Sequence, residues 1–185
     1  GDINDSVEQK LAVYLRGIQE VHGGWPLYHD GDFNMSASVK AYYALKLVGD
    51  DPDAPHMVRA RKAILDHGGA AKSNVFTRIA LALFEQVPWR AVPVIRPEAM
   101  LLPKWFPFHI DKVSYWSRTV MIPLFVIAAL KPKAKNPRNV DIRELFVVPP
   151  EEENHYMVNP TGHWIGEVIL GLDRVMQKAE PLLPS

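Results

Sequence analysis

Four helical stretches, each stopped by glycine or proline, fill the first half of this chain and limit what it can fold into. The periodicity predicts helices over about 6–19, 34–48, 55–66 and 73–86. In the first, Ser6 and Gln9 have the spacing of a capping box, Leu11, Tyr14, Leu15 and Ile18 form one apolar face, and Gly23-Gly24 end the run. In the second, Asn34 or Ser36 caps the start, Val39, Tyr42, Tyr43 and Leu47 point inward, and Gly49 terminates. The third turns Met57, Ala60 and Ile64 inward and closes at Gly68-Gly69; the fourth carries Phe76, Ile79, Ala80, Leu83 and Phe84. Helices joined by breaks this short pack as hairpins. The fold class is therefore all-α, built from successive helical hairpins as in α-solenoids and α/α barrels. At 185 residues and 48% apolar, the chain can bury one sizeable core, so 1–185 is read as a single unit.

The second half is less regular. Residues 87–111 interleave five prolines with Trp89, Trp105, Phe106 and Phe108, and only Pro97 to Leu102 has a helical pattern. Rings at this density would not stay in water, so this connecting segment is expected to pack over helix ends. A fifth helix, about Ser114 to Leu130, is apolar nearly all round and is expected to be buried on most sides. Pro123 inside it removes a backbone bond near Thr119 and predicts a bend. Arg118, its one charge, is read as paired with a carboxylate. The basic 131–138 loop and the acidic 151–153 run are read as solvated surface, with a short helix between them at 141–146. A last amphipathic helix over 161–179 puts Trp164, Ile165, Val168, Ile169, Leu172, Val175 and Met176 on one stripe. That stripe fits either a core-facing helix or one lying in a membrane interface.

Charge and composition remove several functions. Twenty-one basic residues balance twenty-one acidic ones, so no overall field favours nucleic acid. No cysteine is present, which excludes disulfides and thiolate metal sites. No phosphate loop, His-Glu-x-x-His or Gly-x-Ser-x-Gly pattern occurs, and the seven histidines lack the spacing of a ligand pair on a helix. Neither a metal nor a cofactor is expected. Asp50, Asp51 and Asp53 invite comparison with magnesium-binding aspartates, but Pro52 and Pro55 place them in a turn.

The segment from Gln19 to Trp25, a glutamine, a short spacer and then Gly23-x-Trp25, resembles the QW repeat of the triterpene cyclases. It is followed in order by NMSASVKAYYALKLVG (34–49), SNVFTRIALALF (73–84), PWRAVPVIRPEAMLLP (88–103) and YWSRTVMIPL (115–124). This succession resembles the N-terminal half of squalene-hopene cyclase and extends from about residue 5 to 182. The resemblance implies an α/α barrel in which Gln19, Gly23 and Trp25 are structural, at outer helix ends. It also implies an enzyme that folds squalene in an apolar cavity and starts a cation cascade by protonating a terminal alkene, with aromatic faces stabilising the cations. On the same basis Trp116 corresponds to the cavity-lining tryptophan of a Trp-x-Arg segment, and Val113 and Met121 correspond to the constriction of the substrate channel. The helix at 161–179 corresponds to the family's membrane-docking surface, implying peripheral attachment at the cytoplasmic side of the membrane.

Departures from the family pattern shape the expectation. The Asp-x-Asp-Asp acid motif is absent, because Asp50-Asp51-Pro52-Asp53 reverses its spacing, and most QW copies are missing. Lys40 stands where some family members carry a carboxylate near the cavity, so no role carries over to it. The chain is expected to be a piece of a cyclase that supplies cavity wall and scaffold, inactive alone, with apolar surface that favours self-association as a homodimer. The alternatives are a non-enzymatic α/α-repeat interaction module and another α/α-barrel prenyl-chain enzyme, whose zinc ligands are not visible.

Overall fold

The computed structural model describes residues 4–93, 103–105, 109–154, 156, 164, 167–168, 170–171 and 174–175. Among these the regular structure is entirely helical: α1 (Asp5–Gly17), α2 (Met35–Val48), α3 (Pro55–Asp66), α4 (Val75–Leu83) and α5 (Tyr115–Leu130). Short 3-10 turns lie at Ala70–Lys72, Trp89–Ala91, Ile110–Lys112 and Arg143–Leu145. The last of these stands within the helix predicted over 141–146, and the predicted helix at Pro97–Leu102 lies outside the described residues.

Caps explain most helix boundaries. The side chains of Asn34, Asn74 and Ser114 accept from the backbone N–H three residues on, at Ala37, Thr77 and Ser117. Gly49 ends α2 at φ 112°, a left-handed conformation that costs glycine nothing, and its N–H returns to the carbonyls of Leu45 and Lys46. Pro55 opens α3 at a position where no N–H is needed, with Ala54 at the cap position and no side-chain capping bond. Ser36 does not cap α2. It is buried, and its hydroxyl accepts the N–H of Asn74, tying the start of α4 to the start of α2.

α2 is the helix around which the core forms. Val39, Tyr42 and Leu45 are fully buried on it, against Met57, Ala60 and Ile64 of α3 and Ile79, Leu81 and Ala82 of α4. The segment after α5 then folds back over this core. Ala134 N–H donates to Leu83 O at 2.8 Å, Gln86 bridges Val140 O and Ile142 N–H, and Ile142 and Leu145 are fully buried. Tyr42 Oη donates to Glu144 Oε1 at 3.0 Å, and Lys46 also pairs with that carboxylate. Burial and the Glu144 charge together raise the Tyr42 pKa.

Three expectations are corrected. α1 is capped by Asn4, whose side chain accepts from Val7 N–H, not by a Ser6–Gln9 box, and it stops at Gly17, well before Gly23. Its apolar stripe is not the packed side: Leu11, Tyr14 and Ile18 are exposed, while Ala12 is buried and Leu15 half-buried. The side that packs is the one carrying Leu15 and Arg16, because the Leu15 carbonyl and the Arg16 guanidinium hold bonds to Trp25 and Asp50. α5 is not buried on most sides either. Only Phe125 is buried, Leu124 and Ile127 pack partly on the core, Met121 and Ala128 are half-buried, and the remaining apolar side chains are exposed.

Candidate functional surfaces

The Gln19–Trp25 segment leaves α1 and immediately becomes a joint between three helices. Gln19 Nε2 donates to Gly23 O at 2.7 Å and to His56 O at 2.9 Å, while its Oε1 accepts from Arg59 Nη2 at 3.0 Å. Every hydrogen-bonding direction the amide is asked to fill leads to its own turn or to α3. Trp25 is 2% exposed. Its indole N–H donates to Leu15 O in α1 at 2.8 Å, and its backbone N–H donates to Ser38 Oγ of α2 at 2.9 Å. Gly23 sits at φ 86°, and a Cβ there would lie 2.9 Å from Arg59 O, so the turn requires glycine both for conformation and for space.

Beside this joint is a charged clamp. Arg16 Nε and Nη2 grip both oxygens of Asp50 at 2.9 and 2.5 Å, and His56 Nε2 lies 2.6 Å from Asp50 Oδ2. The Asp50 side chain is only 6% exposed. The Arg16 bond holds its carboxyl below the usual carboxylate range, against an opposing push from burial, with His56 adding to the lowering. Asp50 is thus structural; Asp51 accepts the N–H of Asp53 in the turn, and Asp53 pairs loosely with Arg61 at 3.6 Å. Among the described residues no cluster of three His, Asp or Glu side chains could hold a metal ion.

α5 has the opposite character. Its outer side presents Tyr115, Trp116, Val120, Ile122, Val126 and Leu130, with Trp116 76% exposed. At about 100° per residue these positions fall on one side of the helix, and no charged residue interrupts them. Arg118 lies off this side, half-buried, with Nη1 3.9 Å from Asp111 Oδ1. Met121 is half-buried, about 140° round the helix from Trp116, and Val113 is half-buried just before the N-cap Ser114. The structure therefore puts Trp116 on the open face and does not bring Met121 beside it. Lys40 is exposed on α2.

Of the predicted 161–179 helix, residues 164, 167, 168, 170, 171, 174 and 175 are described, and all are helical. Trp164, Val168 and Val175 are exposed and lie within about 40° of one another round the axis. Ile165, Ile169 and Leu172 lie outside the described residues. No helix among the described residues is long and apolar enough to cross a membrane.

Sequence reasoning anticipated the turn at Gly23 and missed the clamp at Asp50. A bidentate arginine 34 residues away leaves no local signal.

Comparison with known proteins agrees with this architecture. The whole chain, residues 1–185, matches the family described as the squalene-hopene cyclase N-terminal domain. It is 56% identical to the squalene-hopene cyclase of Bradyrhizobium diazoefficiens over 99% of this chain and 28% of that protein. It is 51% identical to the squalene-hopene cyclase of Zymomonas mobilis over 97% of this chain and 27% of that protein. A more distant relative, dammaradiene synthase of Dryopteris crassirhizoma, is 35% identical over 94% of this chain and 25% of that protein. The chain thus spans little more than a quarter of the length of the relatives it matches. Its hairpins are part of an α/α toroid of the terpenoid cyclase type, and the chain belongs to the squalene-hopene cyclase N-terminal domain family.

Proposed function

We propose that the protein of which this chain forms the N-terminal domain region cyclises squalene to a pentacyclic hopanoid, an intramolecular isomerisation. A carboxylic acid protonates the terminal alkene, whose π electrons form the new C–H bond. The resulting tertiary cation is attacked in turn by the remaining double bonds, and loss of a proton from the last cation leaves an isomer of squalene. The observation that carries the reading is the uncharged, aromatic outer side of α5. A polyene and its cations require a dry wall that neither hydrogen-bonds nor reacts, and π faces such as Trp116 attract cations without capturing them.

In this reading Trp116 lines the cavity, and Val113 and Met121 belong to the channel that leads to it. Gln19, Gly23 and Trp25 hold the helices in place. The initiating acid is not in this chain, which has no Asp-x-Asp-Asp, so the chain alone is inactive. Trp164, Ile165, Val168, Ile169 and Leu172 form a peripheral docking surface at the cytoplasmic side of the membrane, from which an insoluble substrate enters. Exposure of Trp164 and Val168 supports it. Where the chain stands alone, its uncovered apolar sides favour a homodimer.

Incubating the full-length protein with squalene and analysing the extract by gas chromatography and mass spectrometry tests the proposal. A cyclised product of unchanged mass supports it, and unconverted squalene overturns it. The scaffold-only reading is not favoured, since identity above half to an enzyme extends over nearly all of the chain.

A further inference from the structure

α5 carries a second group suited to a cation. In an α-helix each carbonyl accepts from the N–H four residues on, and for Thr119 that residue is Pro123, which has none. Residues 119 and 123 are both exposed, so the carbonyl that has lost its i+4 donor belongs to the outer side of the helix. With Trp116 and Val120 these two positions span only about 100° of the circumference, within the uncharged face already described. The Thr119 hydroxyl cannot take the place of the missing donor: it donates the other way, to Tyr115 O at 2.8 Å.

A proline in a helix interior costs about 3 kcal/mol, and here it faces outward, where no core packing offsets that cost. A carbonyl without a donor is a further penalty in a dry cavity unless something positive stands before it. The deficit becomes an asset only when positive charge develops beside it, because a fixed dipole in a low-dielectric site needs no reorganisation to act.

We propose that the main-chain carbonyl of Thr119, deprived of its regular helical donor by Pro123, stabilises cationic intermediates of the cyclisation together with the Trp116 ring. This inference rests on the cyclase reading above.

Two changes at residue 123 in the full-length protein isolate the missing donor. Pro123→Ala removes the ring and supplies an N–H that occupies the Thr119 carbonyl. Replacing Pro123 by lactic acid through nonsense suppression removes the ring and supplies no N–H. With squalene as substrate, Pro123→Ala is expected to lower kcat by about tenfold with KM within about twofold, to increase the share of incompletely cyclised products and to raise Tm. The lactic acid variant is expected to recover most of the lost rate and the parental product ratio. Equal impairment of both variants would mean that Pro123 acts through helix shape and would overturn the inference, as would unchanged kinetics and products in both. In either of those cases the cyclase reading survives. A parent that leaves squalene untouched removes that reading and this inference with it.

Discussion

The turn after α1 and the outer side of α5 are both rich in aromatic residues, yet one is closed and the other open. Around Trp25 polar groups are tied to partners inside the chain: the indole N–H finds Leu15 O, the Gln19 amide finds Gly23 and His56, and Asp50 finds Arg16 and His56. Around Trp116 the apolar side chains stand exposed, while Phe125 is buried and Leu124 and Ile127 pack partly on the core. The contrast separates two uses of tryptophan in one chain. The first fixes helix ends, and its loss should be read as stability. On the proposed function the second is a wall, and its loss should be read as chemistry.

The largest expected effect on stability is at the closed region. Trp25→Ala removes a side chain that is 2% exposed together with its bond to Leu15, and should destabilise the fold by about 4 kcal/mol. Urea unfolding followed by circular dichroism measures it. A loss below about 1 kcal/mol would show that the joint is not a staple.

Asp50→Asn comes next. It breaks a bidentate bond that is shielded at the carboxylate and about one-third exposed at Arg16, and should cost about 2 kcal/mol. Its pH dependence is the sharper test. The folded-state pKa of Asp50 lies below its ordinary 3.8, so its contribution is fully present above that value and is lost as pH falls through the depressed one. The parent should therefore lose stability between pH 4 and lower pH more steeply than Asp50→Asn. Parallel curves for the two proteins would remove the clamp from the account.

How much of this contrast the sequence carried follows from the range of each signal. Asn34, Gly49, Pro55 and Ser114 mark helix ends through bonds made within a few residues, and the structure uses all four at helix boundaries. The rotation of α1 depends on Asp50 and Trp25, which lie outside the helix, so periodicity alone chose Leu11, Tyr14 and Ile18 as the packed side and was wrong. For α5, composition reports how much apolar surface needs a cover but not which chain supplies it. An apolar circumference predicts burial on most sides, and here much of it stands exposed. The aspartates at 50, 51 and 53 were legible as a turn because proline punctuates them, while the pairing of Asp50 was not.

The proposed membrane stripe extends the open side of the comparison. Trp164→Ser with Val168→Ser changes two exposed side chains, so the fold should be preserved while partition onto liposomes falls about tenfold. Cosedimentation of the full-length protein measures this. If the double variant unfolds instead, these residues belong to a core and the docking surface is abandoned.

The smallest stability effect is expected at Trp116, and its smallness is the point. A side chain 76% exposed has little burial to lose, so Trp116→Ala should alter the unfolding free energy of this chain by less than about 0.5 kcal/mol. In the full-length protein the same change deletes a π face worth about 1–2 kcal/mol to a desolvated cation, enough to slow cyclisation several-fold or shift its products. Stability and product ratio should therefore separate at Trp116. At Trp25 they should move together, since a wall held by a loosened joint misplaces every group on it. If Trp116→Ala lowers stability as much as Trp25→Ala does and leaves products unchanged, both tryptophans are packing residues, and the distinction between joint and wall collapses.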